Sequence, residues 1–488
     1  MTRKPVTLLR ALTASLAGAL VLAGNASAVD VGVVDDYGIA PENAPWFFDS
    51  LADLGMRENR ISIAWDPDAP TTIQRQQALE LYVPYATLRG VRVVFAVAPA
   101  KARSITSNPA ATAQYTAFLE QIARTFPAVK DYVVGNEPNQ PRFWQPQFGR
   151  GGVPVSPAAY YSLLARSYDT LKAIDPAITV IGVGLSPRGN DQPNARDNVS
   201  ISPVRFISGL GKAHRRARRQ RPIMDELAFH PYPDRDTDSL MKGYRWPNAG
   251  VPNLGRIKQA FWDAFRGTRQ PTFGEGRSRG RVAFRLDEVG WQVGVVPGSA
   301  AAYHGSESVP TTSESRQSAI YAEAIRYLAC DASVKSALFF LLRDEPDLER
   351  WQAGLVRADG SQRPSFGSVK ATIAQTGGRC PGPMRSWRHS TTVVGARVRF
   401  PRRRVLRARL MCPELVITAE EDATVEAALY RGKRRVLRRR ASVKAYRSRV
   451  LRFRMRYRPG RYTFRVTLRA ALNPARAKRF SVPLRITK

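Results

Sequence analysis

Residues 131–138 read DYVVGNEP, a short apolar run that turns polar at its C-terminal end. The same shape occurs at 29–36 (VDVGVVDD), 57–65 (RENRISIAW), 91–99 (VRVVFAVAP), 178–187 (ITVIGVGLSP), 225–233 (DELAFHPYP), 282–291 (VAFRLDEVGW) and 336–345 (SALFFLLRDE). Short continuous apolar runs are what strands buried on both faces look like. Helical patterns lie between them, as at 111–125 (ATAQYTAFLEQIART) and 159–174 (AYYSLLARSYDTLKAI). Eight β–α units across residues 29–378 predict an α/β fold, the (β/α)8 TIM barrel. A doubly wound open sheet is the alternative, but it would rarely need eight such units. In the barrel, the polar ends Asp35–Asp36, Trp65, Asn136–Glu137, His230 to Tyr232, Glu288 and Arg343–Asp344 gather at the C-terminal mouth, where barrels of this kind build their sites.

Two of these residues carry chemistry together. Glu137 ends strand 4 and Glu288 ends strand 7, so they face one another across the mouth. A lone Glu would read as a surface carboxylate. A facing pair is what glycoside hydrolysis needs, and retaining enzymes hold the two carboxyls about 5–5.5 Å apart. The motifs GNEPN (135–139), FHPY (229–232) and DEVGW (287–291) together resemble clan A of the glycoside hydrolases, the retaining (β/α)8 enzymes. They are similar to family 5 cellulase-like and family 39-like members. The resemblance covers residues 29–378. It implies Glu137 as acid/base, Glu288 as nucleophile and Asn136 as the amide that bonds the sugar 2-hydroxyl. It further implies that His230 and Tyr232 support the site and that Arg60 pairs with the nucleophile. It also implies a poly- or oligosaccharide substrate and no metal or organic cofactor.

Sugars stack on aromatic rings, so Trp65, Trp144, Trp246 and Trp291, at strand ends or in the loops after strands 2, 4, 6 and 7, are candidate platforms. Trp46 and Trp262 fall in helical patterns and read as packing residues. The chain departs from the clan in two places. Where a Trp is usual at the end of strand 8, Phe339 or Phe340 stands, and the next Trp is Trp351. Asp287 precedes Glu288 where a small hydroxyl residue is common. The competing reading is a catalytically inactive carbohydrate- or wall-binding barrel.

The 488 residues are 43% apolar and 24% charged, which excludes wholesale disorder. Residues 1–28 read as a signal peptide. Arg3, Lys4 and Arg10 precede an apolar stretch that is too short to span a membrane, and Ala26-Ser27-Ala28 forms the cleavage site. A secreted or wall-associated protein is expected, and no later stretch would span a bilayer. Export permits a disulfide among Cys330, Cys380 and Cys412. Cys330 just before strand 8 and Cys380 after the last helix both come to the bottom rim of a barrel, which favours that pair over Cys380–Cys412.

The net charge of +36 is uneven: residues 381–488 hold 31 Lys and Arg against 5 Asp and Glu. A Gly/Pro-rich linker at 379–391 leads into 392–488, where apolar and basic residues alternate with period two. About six or seven short strands predict a basic β-sandwich, and Pro459-Gly460 before RYTFRVTL resembles the last strand of immunoglobulin- or fibronectin-like modules. In RVLRFRMRYR (449–458), Arg449, Arg452, Arg454, Arg456 and Arg458 largely share a parity, opposite Leu451, Phe453, Met455 and Tyr457. An anionic cell-wall polymer would suit such a stripe, and nucleic acid would not be met by an exported chain. The composition of a GC-rich genome accounts for the arginines equally well.

Overall fold

The computed structural model describes residues 28–274, 281–401, 405–407 and 410–487. The expected signal peptide, apart from its last residue, lies outside the described residues. Eight parallel strands close into a barrel in chain order: β1 (Asp30–Val34), β2 (Glu58–Trp65), β3 (Arg92–Pro99), β4 (Asp131–Val134), β5 (Thr179–Leu185), β6 (Glu226–Phe229), β7 (Ala283–Val289) and β8 (Val334–Phe339). Each is followed by a helix: α1 (Ala44–Leu54), α2 (Gln76–Leu88), α3 (Ala111–Thr125), α4 (Ser156–Ile174), α5 (Pro203–Arg216), α6 (Leu254–Phe265), α7 (Glu314–Ala329) and α8 (Pro364–Thr376). The helices begin where local chemistry allows. Pro157, Pro203 and Pro364 stand in first turns, where a missing N–H costs nothing. Ser313 caps α7 by accepting from the Arg316 amide. In α5 the buried Val204, Ile207, Leu210 and His214 recur at helical spacing, while Arg215 and Arg216 follow at its end.

Parity along β7 explains how the barrel interior is layered. Phe284 and Leu286 point into the shell of helices, so Arg285 and Asp287 point inward. Arg285, fully buried, donates from Nε to Glu226 at 2.9 Å and from Nη2 to Asp131 at 3.1 Å, and it also pairs with Glu58. That network closes the bottom of the barrel. Val94, Ala96, Val133, Ile181 and Ala228 form a small apolar plug. Cys330 and Cys380 are joined, with Cα atoms 4.5 Å apart, as the barrel geometry led one to expect. The segment 379–391 is pinned to the barrel: Arg385 lies over the Tyr327 ring and His389 stacks on Trp262 at 4.1 Å.

The C-terminal domain is all β. A three-stranded sheet contains β9 (Arg397–Arg399), β12 (Glu414–Thr418) and β15 (Arg449–Arg452). A five-stranded sheet contains β10 (Val405–Arg407), β13 (Ala423–Arg431), β14 (Arg434–Val443), β17 (Gly460–Ala470) and β18 (Ala477–Thr487), and the short β11 (Leu410–Met411) and β16 (Met455–Arg456) pair separately. Leu415, Ile417 and Leu451 of the small sheet meet Val425, Leu429, Phe464 and Val466 of the large one in a shared core. RVLRFRMRYR is not one strand. It is split between β15 and β16, which pair with different partners, although Leu451, Phe453 and Tyr457 are buried and Arg452, Arg454, Arg456 and Arg458 exposed as the alternation required. The domain docks on the barrel through Arg476 to Asp263 (2.9 Å) and Arg205 to Asp422 (3.2 Å).

Candidate active site

The mouth is shaped by three departures from regular backbone. After β4, Gly135 has φ +79° and Glu137 φ +35°. A Glu held in the left-handed region costs roughly 1 kcal/mol or more and is a feature of functional sites. The β5 strand bulges at Val183 and Gly184, and the Gly184 carbonyl accepts from the Glu137 amide at 2.9 Å. A Cβ on Gly184, itself at φ +55°, would lie 3.2 Å from His230 Nε2, so glycine here makes room for the imidazole. The β7 ladder also shifts register after Leu286, which frees the Asp287–Glu288 end of the strand to turn toward the mouth.

These features bring Glu137, Asn136, Arg60, His230, Tyr232 and Glu288 into one cluster. Arg60 donates from Nη1 to Glu288 Oε1 at 2.8 Å and from Nη2 to Asn136 Oδ1 at 2.9 Å. Because the Asn136 carbonyl is taken, its amide NH2 remains the group able to donate to a ligand. The Tyr232 hydroxyl donates to Glu288 Oε2 at 3.0 Å. His230 Nδ1 lies 3.0 Å from Glu137 Oε1 and 3.4 Å from Glu288 Oε2. One carboxylate oxygen of Glu137 lies within 4.8 Å of one of Glu288. Each of these two side chains is 13% exposed, so both are reachable from the mouth but largely desolvated.

Beneath them sits Asp287, completely buried. Its Oδ1 is 3.3 Å from His230 Nε2 and its Oδ2 3.3 Å from Arg60 Nε. The five ionisable side chains explain one another's charge. Burial works against a charged His230, but Glu288, Asp287 and Glu137 around it prevail and raise its pKa to about 10. Burial likewise opposes ionisation of Asp287, yet His230 and Arg60 hold it below the usual carboxylate range. For Glu137, burial pushes the pKa up, His230 pulls it down, Glu288 pushes it up again, and the net direction is up. Arg60 and His230 are thus the two cationic partners gathered around the three carboxyls of the cluster.

Glu137, His230 and Glu288 are also close enough to act as metal ligands. The chemistry opposes it. Both oxygens of Glu288 are already held, by the Arg60 guanidinium at 2.8 Å and the Tyr232 hydroxyl at 3.0 Å, and His230 Nε2 faces the Asp287 carboxylate at 3.3 Å.

The aromatic expectations need correction. Trp65, Trp144 and Trp291 are 0%, 2% and 1% exposed, so none offers a face to a sugar. Trp65 packs edge-on against Tyr115, Trp144 against Tyr160, and Trp291 uses its indole N–H on the Asp238 carbonyl. Trp246 lies under Arg205, in a cleft between α5, α6 and the β domain, away from the carboxylates. The aromatic wall of the site is Trp351, from the loop between β8 and α8. It stacks on Tyr232 at 5.1 Å and meets Phe340 edge-on at 5.6 Å. The other polar strand ends are structural. Asp35 accepts from the Leu342 and Arg343 amides, and Asp344 is held by Arg363.

No protein-family model matches the sequence, and no curated protein matches it. Among solved structures, a family 39 glycoside hydrolase from the gut symbiont Bacteroides cellulosilyticus WH2 is similar at 15% identity, over 86% of this chain and 80% of that one, with a TM-score of 0.48. A glucosidase from Croceicoccus marinus is similar at 14% identity over 89% and 94%, TM-score 0.48. A monomeric beta-xylosidase from Caulobacter crescentus CB15 is similar at 12% identity over 91% and 96%, TM-score 0.46.

Proposed function

We propose that this protein is a retaining glycoside hydrolase acting on β-linked poly- or oligosaccharides. The observation that carries the reading is the approach of Glu137 to within 4.8 Å of Glu288. Carboxyls that activate a water from the far side of the sugar stand about 6.5–9.5 Å apart, and those that form a glycosyl-enzyme about 5–5.5 Å.

In the first step Glu288 attacks the anomeric carbon while Glu137 gives its proton to the leaving oxygen. Arg60 and Tyr232 hold and aim Glu288 through their hydrogen bonds, and burial raises the pKa of Glu137 and so favours its protonated form. Glu288 then becomes a neutral ester. The charge that helped hold the proton on Glu137 is gone, so the Glu137 pKa falls and the carboxylate can take a proton from the incoming water. The second displacement restores the original configuration. Asn136 donates its amide to the neighbouring hydroxyl, and Trp351 supplies the stacking face. The secretory segment at 1–28 would place this chemistry outside the cytoplasm, where the Cys330–Cys380 bond is stable.

The test is a panel of aryl β-glycosides, followed by NMR of the first-formed anomer. Glu137→Ala and Glu288→Ala should each abolish turnover with the fold intact, and azide should rescue Glu288→Ala as the α-glycosyl azide. An α-anomer released first by the wild type from a β-glycoside would exclude retention. Near-normal activity of either variant would remove that residue from its role, and silence across the panel and a polysaccharide screen would favour a binding barrel.

A further inference from the structure

The C-terminal domain presents a row of exposed arginines on one face of its larger sheet. In β17 the even-numbered Tyr462, Phe464, Val466 and Leu468 are buried, so the odd-numbered residues face outward. Arg461, Arg465 and Arg469 follow one another along that outer face at four-residue intervals, roughly 13 Å apart. The neighbouring β18 continues the pattern. Register sets Arg485 directly opposite Arg461, and Arg479 opposite Thr467. On the other side, β13 and β14 bring Arg440 and Arg438 to the same face beside Glu426, at 2.7 and 3.8 Å. That carboxylate serves those two arginines. Among the described residues, Arg461, Arg465, Arg469, Arg479 and Arg485 have no carboxylate partner, and all five are exposed.

Like charges set directly opposite on a sheet are destabilising; Arg461 and Arg485 stand so, and Arg465, Arg479 and Arg469 follow along the same face opposite Ser481, Thr467 and Ala477. A bound anion would reverse the sign of that interaction. We infer that the outer face of the five-stranded sheet docks an anionic polysaccharide through its carboxylates; the choice of a polysaccharide rests on the glycosidase reading above. A guanidinium fork matches a carboxylate bidentately. Between the arginines stand Thr463, Thr467 and Ser481, with Pro483 and Ala477 on the same parity of β18; the hydroxyls suit a hydrated polymer.

The same face is poorly built for other polyanions. It carries no row of apolar anchors for a membrane interface. Single-stranded nucleic acid needs stacking platforms, and Tyr430 on this face is covered by Arg465 at 4.6 Å. A broad sheet face does not enter a duplex groove, which admits a helix or a two-stranded ribbon.

The experiment uses the full chain carrying Glu288→Ala, so that binding is read without turnover. Its probes are immobilised polygalacturonate, hydroxyethylcellulose, duplex DNA and phosphatidylserine vesicles. Immobilised polygalacturonate should retain the protein at ~0.05 M salt and release it toward ~1 M, as the screening length shortens from about 14 Å to ~3 Å, while hydroxyethylcellulose should not retain it. Replacing Arg461, Arg465 and Arg469 together by Ser should weaken retention about tenfold or more. Replacing Arg454, Arg456 and Arg458, an equal charge elsewhere on the domain, should change it less than about threefold. Equal loss in both triple variants would reduce the effect to net charge and overturn the inference. So would tighter binding of DNA or vesicles than of polygalacturonate at ~0.15 M salt, or undiminished retention in the first variant. Hydrolysis of a small aryl glycoside by a chain with intact Glu288 reports on the catalytic reading separately. Turnover without polymer retention sinks only the docking face, and retention without turnover of any glycoside sinks only the glycosidase.

Discussion

Replacing Asp287 by Asn would test whether the buried carboxylate sets the protonation of the site. The substitution keeps the shape and removes one charge 3.3 Å from His230 Nε2 and 3.3 Å from Arg60 Nε. At an effective dielectric of about 20, a charge pair at that separation interacts by about 5 kcal/mol, or about 3.7 pKa units. Arg60 stays charged regardless, so the loss is felt at His230. Its pKa, raised to about 10 with Asp287 present, should fall to between about 6 and 7. The imidazole would then titrate in the working range. Glu137 would lose a cationic neighbour above that pH, so its own pKa would rise and the base-dependent second step would need a higher pH. The assay is NMR titration of the imidazole resonances, tractable with four histidines in the chain, alongside the pH profile of hydrolysis of a substrate with a good leaving group. A stability readout follows from the same shift. Because the folded pKa is raised, the wild type's contribution from His230 is complete below about pH 6.5 and is lost as pH climbs toward 10; in Asp287→Asn that loss should nearly vanish. An imidazole that stays charged above pH 8 in the variant, with an unchanged pH profile, would refute the reasoning.

Further outcomes are expected. Cys330→Ser with Cys380→Ser opens a loop of 50 residues and should lower stability by up to about 4 kcal/mol in denaturant titrations, while the native wild type should show a single reactive thiol, the exposed Cys412. Trp351→Ala should raise KM on oligosaccharides by roughly thirtyfold, equivalent to about 2 kcal/mol of lost contact, with thermal stability close to wild type; Trp65→Ala should do the opposite, because Trp65 is fully buried and its removal costs about 3–5 kcal/mol of stability.

The barrel was legible because its strands are buried on both faces and therefore show as unbroken apolar runs. All eight runs contain or overlap a strand, and the helix expected at 111–125 occupies those residues. The strand ends were less legible. The run 131–138 is a strand only to Val134, since Gly135 and Glu137 leave extended backbone. The sandwich was harder. β14 (RRVLRRRASV) and β18 (AKRFSVPLRIT) were not anticipated. In β14 the residue facing inward between Leu437 and Ala441 is Arg439, so the alternation of apolar and polar residues that marks a half-buried strand is interrupted where it would be looked for. Edge position explains this: β14 is the last strand of its sheet, and an inward charge there protects the edge from pairing.

At the site, the acidic and basic residues were readable because strand order fixes which ends meet: barrel closure brings the ends carrying Glu137 and Glu288, 151 positions apart in sequence, to one mouth, and the backbone departures after β4 and in β7 then turn the two side chains together. The aromatics were not, because a tryptophan beside a strand end serves packing as readily as binding, and only burial separates the two uses. Trp65 and Trp291 fill the space where loops meet helices. Trp351 could be weighed only as the next tryptophan after strand 8, since nothing in its neighbours shows that the β8–α8 loop folds back over Tyr232. Asp287 stood out in the sequence as a departure from the clan pattern, and the structure gives that departure a physical sense. A hydroxyl at this position could bond the imidazole but could not charge it. A buried carboxylate binds both His230 and Arg60 and stabilises two cations beneath the two facing glutamates. The residue that least resembled the pattern is thus the one through which the charge of the whole cluster is balanced.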